Sequence, residues 1–349
     1  MSKIDEVMKD FNKKFKEDLV HTGLSEYDYE RIPFTSPRLN YMTFGGLPMG
    51  KLIEFYGEEH GGKTTTAMDV VANYQQLDVA RRVLWVDCEN TFDNVWANKL
   101  GVNVEEVIML QPTNQGAEDI FQFILDMIDT GEVGLVVIDS LGAMYSNQAK
   151  AKSLDEKTYG GISMALTQFS DKAVGFCQRH KCTIIGINQL RDDLNSTFGG
   201  TKTVGGRGWK HNVIARLEFR MGKFIDENNK DLNRSAENPA GNMVMVTMKK
   251  NKTCPPTRRT GFYTLKYLEG IDFISDLIEV ALKYGIVEKS GAWYQIVDID
   301  TGELLSDKVQ GQDAIKDILV SDLDILKVVS DLIEARIYSD EIILDEIEE

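Results

Sequence analysis

The chain contains no apolar run near the roughly 20 residues that a membrane span requires. Its opening stretch, Met1 to Lys16, is charged and amphipathic and has no apolar centre of the kind a secretion signal carries, so a cytoplasmic location is expected. Cysteine is scarce. Cys88, Cys177, Cys182 and Cys254 are scattered through 349 residues, which excludes a disulfide framework or paired zinc knuckles and agrees with a reducing compartment. Cys177, His180 and Cys182 lie close together, but no fourth ligand is visible, and they read as packing residues rather than metal ligands. Repeats and low-complexity tracts are absent. Positive charge is in deficit too: 39 Lys and Arg against 55 Asp and Glu leave a net charge of -16, which at first counts against a nucleic-acid partner.

The distribution of charge weakens that objection. Between Lys202 and Lys223 the bases Lys202, Arg207, Lys210, Arg216, Arg220 and Lys223 face a single acid, Glu218, and Lys249, Lys250, Lys252, Arg258 and Arg259 form a second basic cluster. Acid collects at the end, where Asp340, Glu341, Asp345, Glu346, Glu348 and Glu349 crowd the last ten residues. That tail reads either as a solvated, fraying helix end or as a polyanion competing with nucleic acid for the basic surface.

Apolar, β-branched runs alternate with amphipathic stretches, an order that predicts an α/β fold with a mainly parallel sheet covered by helices. Strands are expected at Leu52 to Tyr56, Arg82 to Asp87, Glu106 to Leu110, Leu135 to Asp139 and Thr183 to Asn188. Helices are expected at Lys63 to Leu77, Gly116 to Thr130 and Ile162 to Arg179. Further strands at Ile214 to Arg220, Met243 to Lys249 and Thr260 to Tyr267 suggest an antiparallel edge. Two stretches, Asn147 to Gly160 and Arg191 to Gly208, read as irregular and follow core strands, where binding loops gather in open α/β sheets. From Gly270 onward a helix (Phe273 to Tyr284), short strands near Trp293 to Val297 and a helical stretch from Asp322 to Ile347 read as a small α+β domain. Ile4, Val7, Met8, Phe11, Phe15 and Leu19 stand at helical spacing in the N-terminal segment. The expected division is 1–33, 34–268 and 269–349.

The most specific motif is Gly57-Glu58-Glu59-His60-Gly61-Gly62-Lys63-Thr64, which fits GxxxxGK[ST], follows the apolar run LIEFY and opens a helix. Backbone N–H groups of such a loop, with the helix N-terminus, wrap a nucleotide's β-phosphate. Lys63 adds charge near the β- and γ-phosphates, and the Thr64 hydroxyl suits Mg²⁺. A second metal carboxylate is needed at the end of a neighbouring strand, and LVVIDS supplies Asp139. Asp87 ends another strand, and two residues on, Glu89 is placed to orient or deprotonate an attacking water.

Together these residues resemble the bacterial RecA recombinase family, and its phage UvsX-like branch more closely still. The matching text runs from GGLPMGKLIEFYGEEHGGKTT through VLWVDCENTFDNVWANKLGV, LVVIDSLGAM, IIGINQLRDD, GGRGWKHNVIARLEFR and MKKNK to EVALKYGIVEKSGAWYQI, about three quarters of the chain. The resemblance implies a RecA-type P-loop ATPase core, an N-terminal helix that packs on an adjacent subunit, and a small C-terminal domain. It implies ATP and Mg²⁺ as cofactors, with Gly57 to Thr65, Asp139 and Glu89 in the nucleotide site and Asp93 and Trp96 at the adenine. Gln189 corresponds to a relay between γ-phosphate and DNA loop, and Lys250 and Lys252 to lysines that reach a neighbouring subunit's ATP. The two irregular stretches correspond to DNA-binding loops. In the second, Arg191, Leu194, Asn195, Phe198, Gly199, Gly200, Lys202, Gly205, Gly206 and Arg207 offer close-approach glycines, bases for phosphates and apolar wedges. The implied partners are single-stranded DNA, a homologous duplex, further copies in a helical filament, and mediator or single-strand-binding proteins; no membrane is implied.

Departures from the family pattern are His60-Gly61 where a Ser pair is usual, His211 in place of an aromatic residue, and Asp192 and Asp193 at the start of a phosphate-facing loop. Beyond Val297 little resemblance is visible. The leading expectation is an ATP-dependent strand-exchange filament. The alternatives left open are a RecA-fold motor or helicase and a non-catalytic ATP-binding DNA filament.

Overall fold

The computed structural model describes residues 2–15, 20, 29–151, 161–192, 200–233 and 235–338. Most of the first expected loop, Leu194, Asn195, Phe198 and Gly199 of the second, and the acidic tail lie outside these residues. The chain divides into two compact units, one ending at Glu30 and one beginning at Arg31. In the first, helix α1 (Lys3–Phe15) carries acid in its first turn and base in its last, a polarity that favours the helix dipole. Ile4, Val7 and Phe11 of its apolar stripe are exposed.

The second unit begins with β1 (Arg31–Ile32) and β2 (Leu47–Pro48), which pair around α2 (Pro37–Thr43). The α2 start is set by Ser36, whose hydroxyl accepts from the Leu39 amide, followed by proline at the first helical position. There follow β3 (Leu52–Gly57), α3 (Lys63–Gln75), β4 (Arg82–Asp87), α4 (Asn94–Lys99), β5 (Val107–Leu110), α5 (Ala117–Asp129), β6 (Val133–Asp139), the short α6 (Asn147–Lys150), α7 (Gly161–His180) and β7 (Thr183–Asp192). The sheet continues through β8 (Thr201–Thr203), α8 (Gly206–Asn212), β9 (Ala215–Ile225), β10 (Asp231–Leu232), β11 (Gly241–Asn251), β12 (Thr260–Lys266) and β13 (Gly270–Ile271).

The strand order is β13-β12-β11-β9-β3-β7-β6-β4-β5, with β8 and β10 as side branches. From β9 to β5 neighbouring strands are parallel, and from β9 outward to β13 they are antiparallel, as the change of sequence rhythm suggested. In α5 the buried positions Ala117, Ile120, Phe121, Ile124, Leu125 and Ile128 fall at 3–4-residue spacing and meet α7, where Phe121 stacks on Phe169 at 4.4 Å. Cys177 and Cys182 are buried in this apolar core, in agreement with a packing role.

Several expectations need correction. The stretch from Arg191 to Gly208 is not wholly irregular: β7 runs on through Asp192, Thr201–Thr203 pairs back against it, and Gly206 opens α8. Likewise Asn147–Lys150 is a helical turn capped by Ser146. Beyond the core, α9 (Phe273–Lys283), β14 (Val287–Ser290), β15 (Trp293–Ile296), β16 (Val309–Gln310), α10 (Gln312–Ser321) and α11 (Leu323–Ile337) enclose a second apolar cluster including Leu277, Ile296, Ile315 and Ile333. Helix α10 was not anticipated. The long helix expected from Asp322 to Ile347 has its N-cap at Asp322, spans Leu323–Ile337 and is capped by Tyr338, and residues 339–347 lie outside the described residues.

Asp276 of α9 is buried under α2, where Ser36 donates to it at 2.5 Å and Arg38 supplies the nearby opposite charge. Burial dominates these stabilising contacts and pushes its carboxyl up to about 7. The folded state therefore holds this proton more tightly than the unfolded chain, so stability should fall as pH rises from about 4 to 7. Asp276→Asn should remove that part of the slope, as read from urea-unfolding midpoints across the same interval; an unchanged slope would refute this account.

Candidate nucleotide site

The register of the parallel strands brings the expected site residues to one edge. Gly57 at the end of β3 pairs with Gln189 of β7 and Phe219 of β9, and Asp87 of β4 pairs with Asp139 of β6. The turn after β3 lies so close to β9 that a Cβ at Gly57 would stand 2.0 Å from the Phe219 carbonyl oxygen, so only glycine fits. Gly62, with φ 90°, caps α3 in the left-handed region and delivers Lys63 and Thr64 into its first turn.

Lys63 is nearly buried and its ammonium donates to the Gly57 and Glu58 carbonyls at 3.2 and 2.5 Å. Desolvation lowers its pKa, against the opposing pull of Asp139 and Glu89. The Thr64 hydroxyl donates to Asp139 at 2.8 Å. Burial, reinforced by the like charges of Glu89 and Asp87, pushes the Asp139 carboxyl up to about 6 despite that bond. A hydroxyl and a carboxylate joined at the mouth of a phosphate-type loop, the latter destabilised as an anion, are the oxygen donors a divalent cation suits. Mg²⁺ therefore fits Thr64 and Asp139.

Glu89 is exposed, and its Oε1 accepts from the Ser140 hydroxyl at 2.5 Å and from the Gln189 amide at 2.9 Å. Asp87 acts on the backbone instead, accepting from the Thr91 and Phe92 amides and from Gln111, and so shapes the turn that presents Glu89. Asp93 caps α4 by accepting from the Val95 and Trp96 amides. Trp96 donates its indole N–H to Thr65 at 3.3 Å.

A cavity of about 680 Å³ runs from His60, Gly61, Gly62, Lys63, Thr64 and Thr65 past Trp96 to Met221, Phe224, Asn242, Leu265 and Tyr267. Its Trp96 face and its aromatic and amide-bearing far wall suit a flat heterocycle. The far wall was not visible in the sequence. It comes from β9, from β11 and from the end of β12, and no local motif marks those residues. Within it, the Tyr267 hydroxyl donates to the Asn242 side-chain oxygen at 3.0 Å.

The expected lysines lie elsewhere. The Lys250 ammonium donates to the Lys210, His211 and Val213 carbonyls at 2.8, 2.8 and 2.6 Å, closing the C-terminal end of α8. Lys252 is exposed. Of the second-loop residues, Gly200, Lys202, Gly206 and Arg207 are exposed, whereas Gly205 is buried as the left-handed cap of α8. Arg191 is exposed and donates to the Gly142 carbonyl at 2.6 Å.

Beneath the site, Glu54 in the middle of β3 is fully buried. It accepts from Asn188 at 2.9 Å and pairs with Arg216. The same two partners reach the segment that returns from the second loop: Asn188 donates to the Val204 carbonyl at 2.9 Å and Arg216 to the Thr203 hydroxyl at 3.3 Å. This network carries no motif, and sequence reasoning did not find it.

Comparison with known proteins shows the family. The family model for the RecA N-terminal domain matches residues 2–272. Protein RecA of Paracoccus denitrificans is 32% identical over 295 residues, covering 84% of this chain and 77% of the relative. Protein RecA of Clostridium perfringens strain 13 is 32% identical over 263 residues, 75% of this chain and 71% of the relative. Protein RecA of Bacillus licheniformis is 30% identical over 334 residues, 95% of this chain and 90% of the relative, a coverage that carries the likeness past Val297, where recognisable motifs ended. With the family model spanning more than three quarters of its length, this chain belongs to the RecA family of recombinases.

Proposed function

We propose that the chain is a DNA-dependent ATPase that assembles with Mg²⁺ and ATP as a helical filament on single-stranded DNA and promotes pairing and strand exchange with a homologous duplex. The observation that carries this reading is the link from Glu89 to Gln189. A carboxylate able to act on water is hydrogen-bonded to an amide on β7, and β7 runs directly into the segment expected to meet DNA. Hydrolysis and DNA contact therefore share one strand.

In this mechanism the 57–64 loop holds the phosphates through backbone N–H groups, Lys63 compensates their charge, and Thr64 with Asp139 holds the magnesium ion. A cation held by Thr64 and Asp139 would supply positive charge to offset that of the transferring phosphoryl group. Glu89 orients the attacking water and accepts its proton. Trp96 and the Tyr267 wall receive the base. Gly200, Lys202, Gly206 and Arg207 approach the DNA backbone, leaving homology to base pairing. The exposed stripe of α1 and Lys252 serve contacts between subunits, with Lys250 joining them once released from α8. Mediator and single-strand-binding proteins act on loading.

Two variants separate binding from turnover. Glu89→Gln should lower ATP hydrolysis by about 10²–10⁴-fold while ATP-dependent binding to single-stranded DNA is kept. Lys63→Ala should lose both. Hydrolysis assays alongside electron-microscopic imaging decide: closed rings would favour a motor, filaments without turnover a purely structural assembly, and failure of Glu89→Gln to bind DNA would remove Glu89 from the catalytic role.

DNA affinity should also weaken steeply with salt, because contacts to phosphate release counterions. Arg207→Ala should reduce the magnitude of the log–log salt slope by roughly 0.7, the value for one phosphate contact on single strands. An unaltered slope in a fluorescence titration would place Arg207 away from the DNA.

A further inference from the structure

We infer that Ser140 is a positioning residue for hydrolysis, holding the Glu89 carboxylate by one oxygen so that the other remains available to water. The inference rests on the ATPase reading above and concerns how its base is held. Glu89 stands on an exposed turn after β4, and a glutamate side chain has enough rotatable bonds for its carboxylate to wander unless something fixes it. Two donors do so, and both reach the same atom: Ser140 Oγ lies 2.5 Å and Gln189 Nε2 2.9 Å from Oε1. Neither of these bonds goes to Oε2.

The two donors differ in permanence. Gln189 belongs to β7 close to the loop, and its amide has a second role if it senses phosphate or DNA. Ser140 is 1% exposed and directly follows Asp139 at the end of a fully buried strand. It has no comparable freedom to leave. Consecutive residues at the end of β6 thus serve two parts of the site, Asp139 reaching Thr64 and Ser140 reaching Glu89. In the step itself, water oxygen bonds to the terminal phosphorus, its proton passes to Glu89, and the bridging oxygen leaves with ADP. Ser140 touches none of the reacting atoms and acts through the direction in which Glu89 presents its free oxygen.

The test uses the full chain with single-stranded DNA and compares Ser140→Ala, Ser140→Thr, Glu89→Gln and the double variant Ser140→Ala/Glu89→Gln. Ser140→Ala should lower kcat about tenfold with KM within about twofold, since placement rather than binding is lost. Ser140→Thr, which retains the hydroxyl, should regain most of the rate. In the Glu89→Gln background Ser140→Ala should cost nothing further, because the residue it positions no longer acts. A wild-type kcat in Ser140→Ala, a loss that comes with weakened nucleotide binding, or an equal loss in the Glu89→Gln background would each overturn the inference and leave the ATPase reading standing. A wild-type protein that hydrolyses ATP no faster than Glu89→Gln would instead overturn that reading, and the inference with it.

Discussion

The structure turns on a carboxylate where none is expected. Glu54 sits in the centre of β3 with no exposed surface, and an unpaired charge there would cost several kcal/mol. Its requirement for partners dictates what lies on either side: Asn188 from β7 and Arg216 from β9. Those strands also pass the candidate site, since the residue after Asn188 is Gln189 and β9 runs beneath Gly57 and Gly61 at Phe219. Because Asn188 and Arg216 also grip Val204 and Thr203, the strand that leads into the 57–64 loop, the strand that carries Gln189 and the returning 203–204 segment share one buried polar network. Such a network is rigid only while every member is satisfied, so a displacement of the 203–204 segment has a direct route to β3.

How much of this was legible in the sequence follows from the range of the interactions. The turn at 57–64 with its following helix, and the placing of Asp139 and Glu89 at or just past strand ends, were readable because a strand, a turn and the next residues carry the whole signal locally. The core strands were readable because burial on both faces leaves unbroken apolar runs, as in Val133–Asp139. The hairpin-like return of Thr201–Thr203 was not, because glycines and hydroxyls mimic irregular chain and the pairing is fixed by Leu190 and Arg191 across the loop. Helix α2 was not anticipated, because its seven residues are too short for a periodic pattern. Ser140 carried no signal, since a serine after a strand aspartate is ordinary until Glu89, 51 residues earlier, is found beside it.

Charge shows the same limit in a form that bears on function. The basic run from Lys202 to Lys223 reads as a cationic surface, yet several of its members are engaged within the fold. Arg216 is committed to Glu54, Arg220 to Glu218 at 3.1 Å, and Lys223 to Asp231. Lys249 is drawn to the other oxygen of Glu218 at 3.1 Å, and Lys250 closes α8. A formal count of bases therefore overstates the charge offered to a polyanion.

That engagement leaves a chain of net charge -16 with little free positive charge for long-range attraction. Cations set in antiparallel strands and helix ends hold the β9–β11 pair and α8 together. Under the proposed function, exposed bases such as Lys202 and Arg207, set among glycines, would act at contact distance, within the roughly 10 Å over which salt leaves charges visible. Binding by such a protein depends on many copies engaging one strand together, because each offers few phosphate contacts. Under the proposed function, filament assembly would be a physical requirement for affinity, and coupling assembly to nucleotide through Gln189 and Glu89 would give the nucleotide site control over the grip.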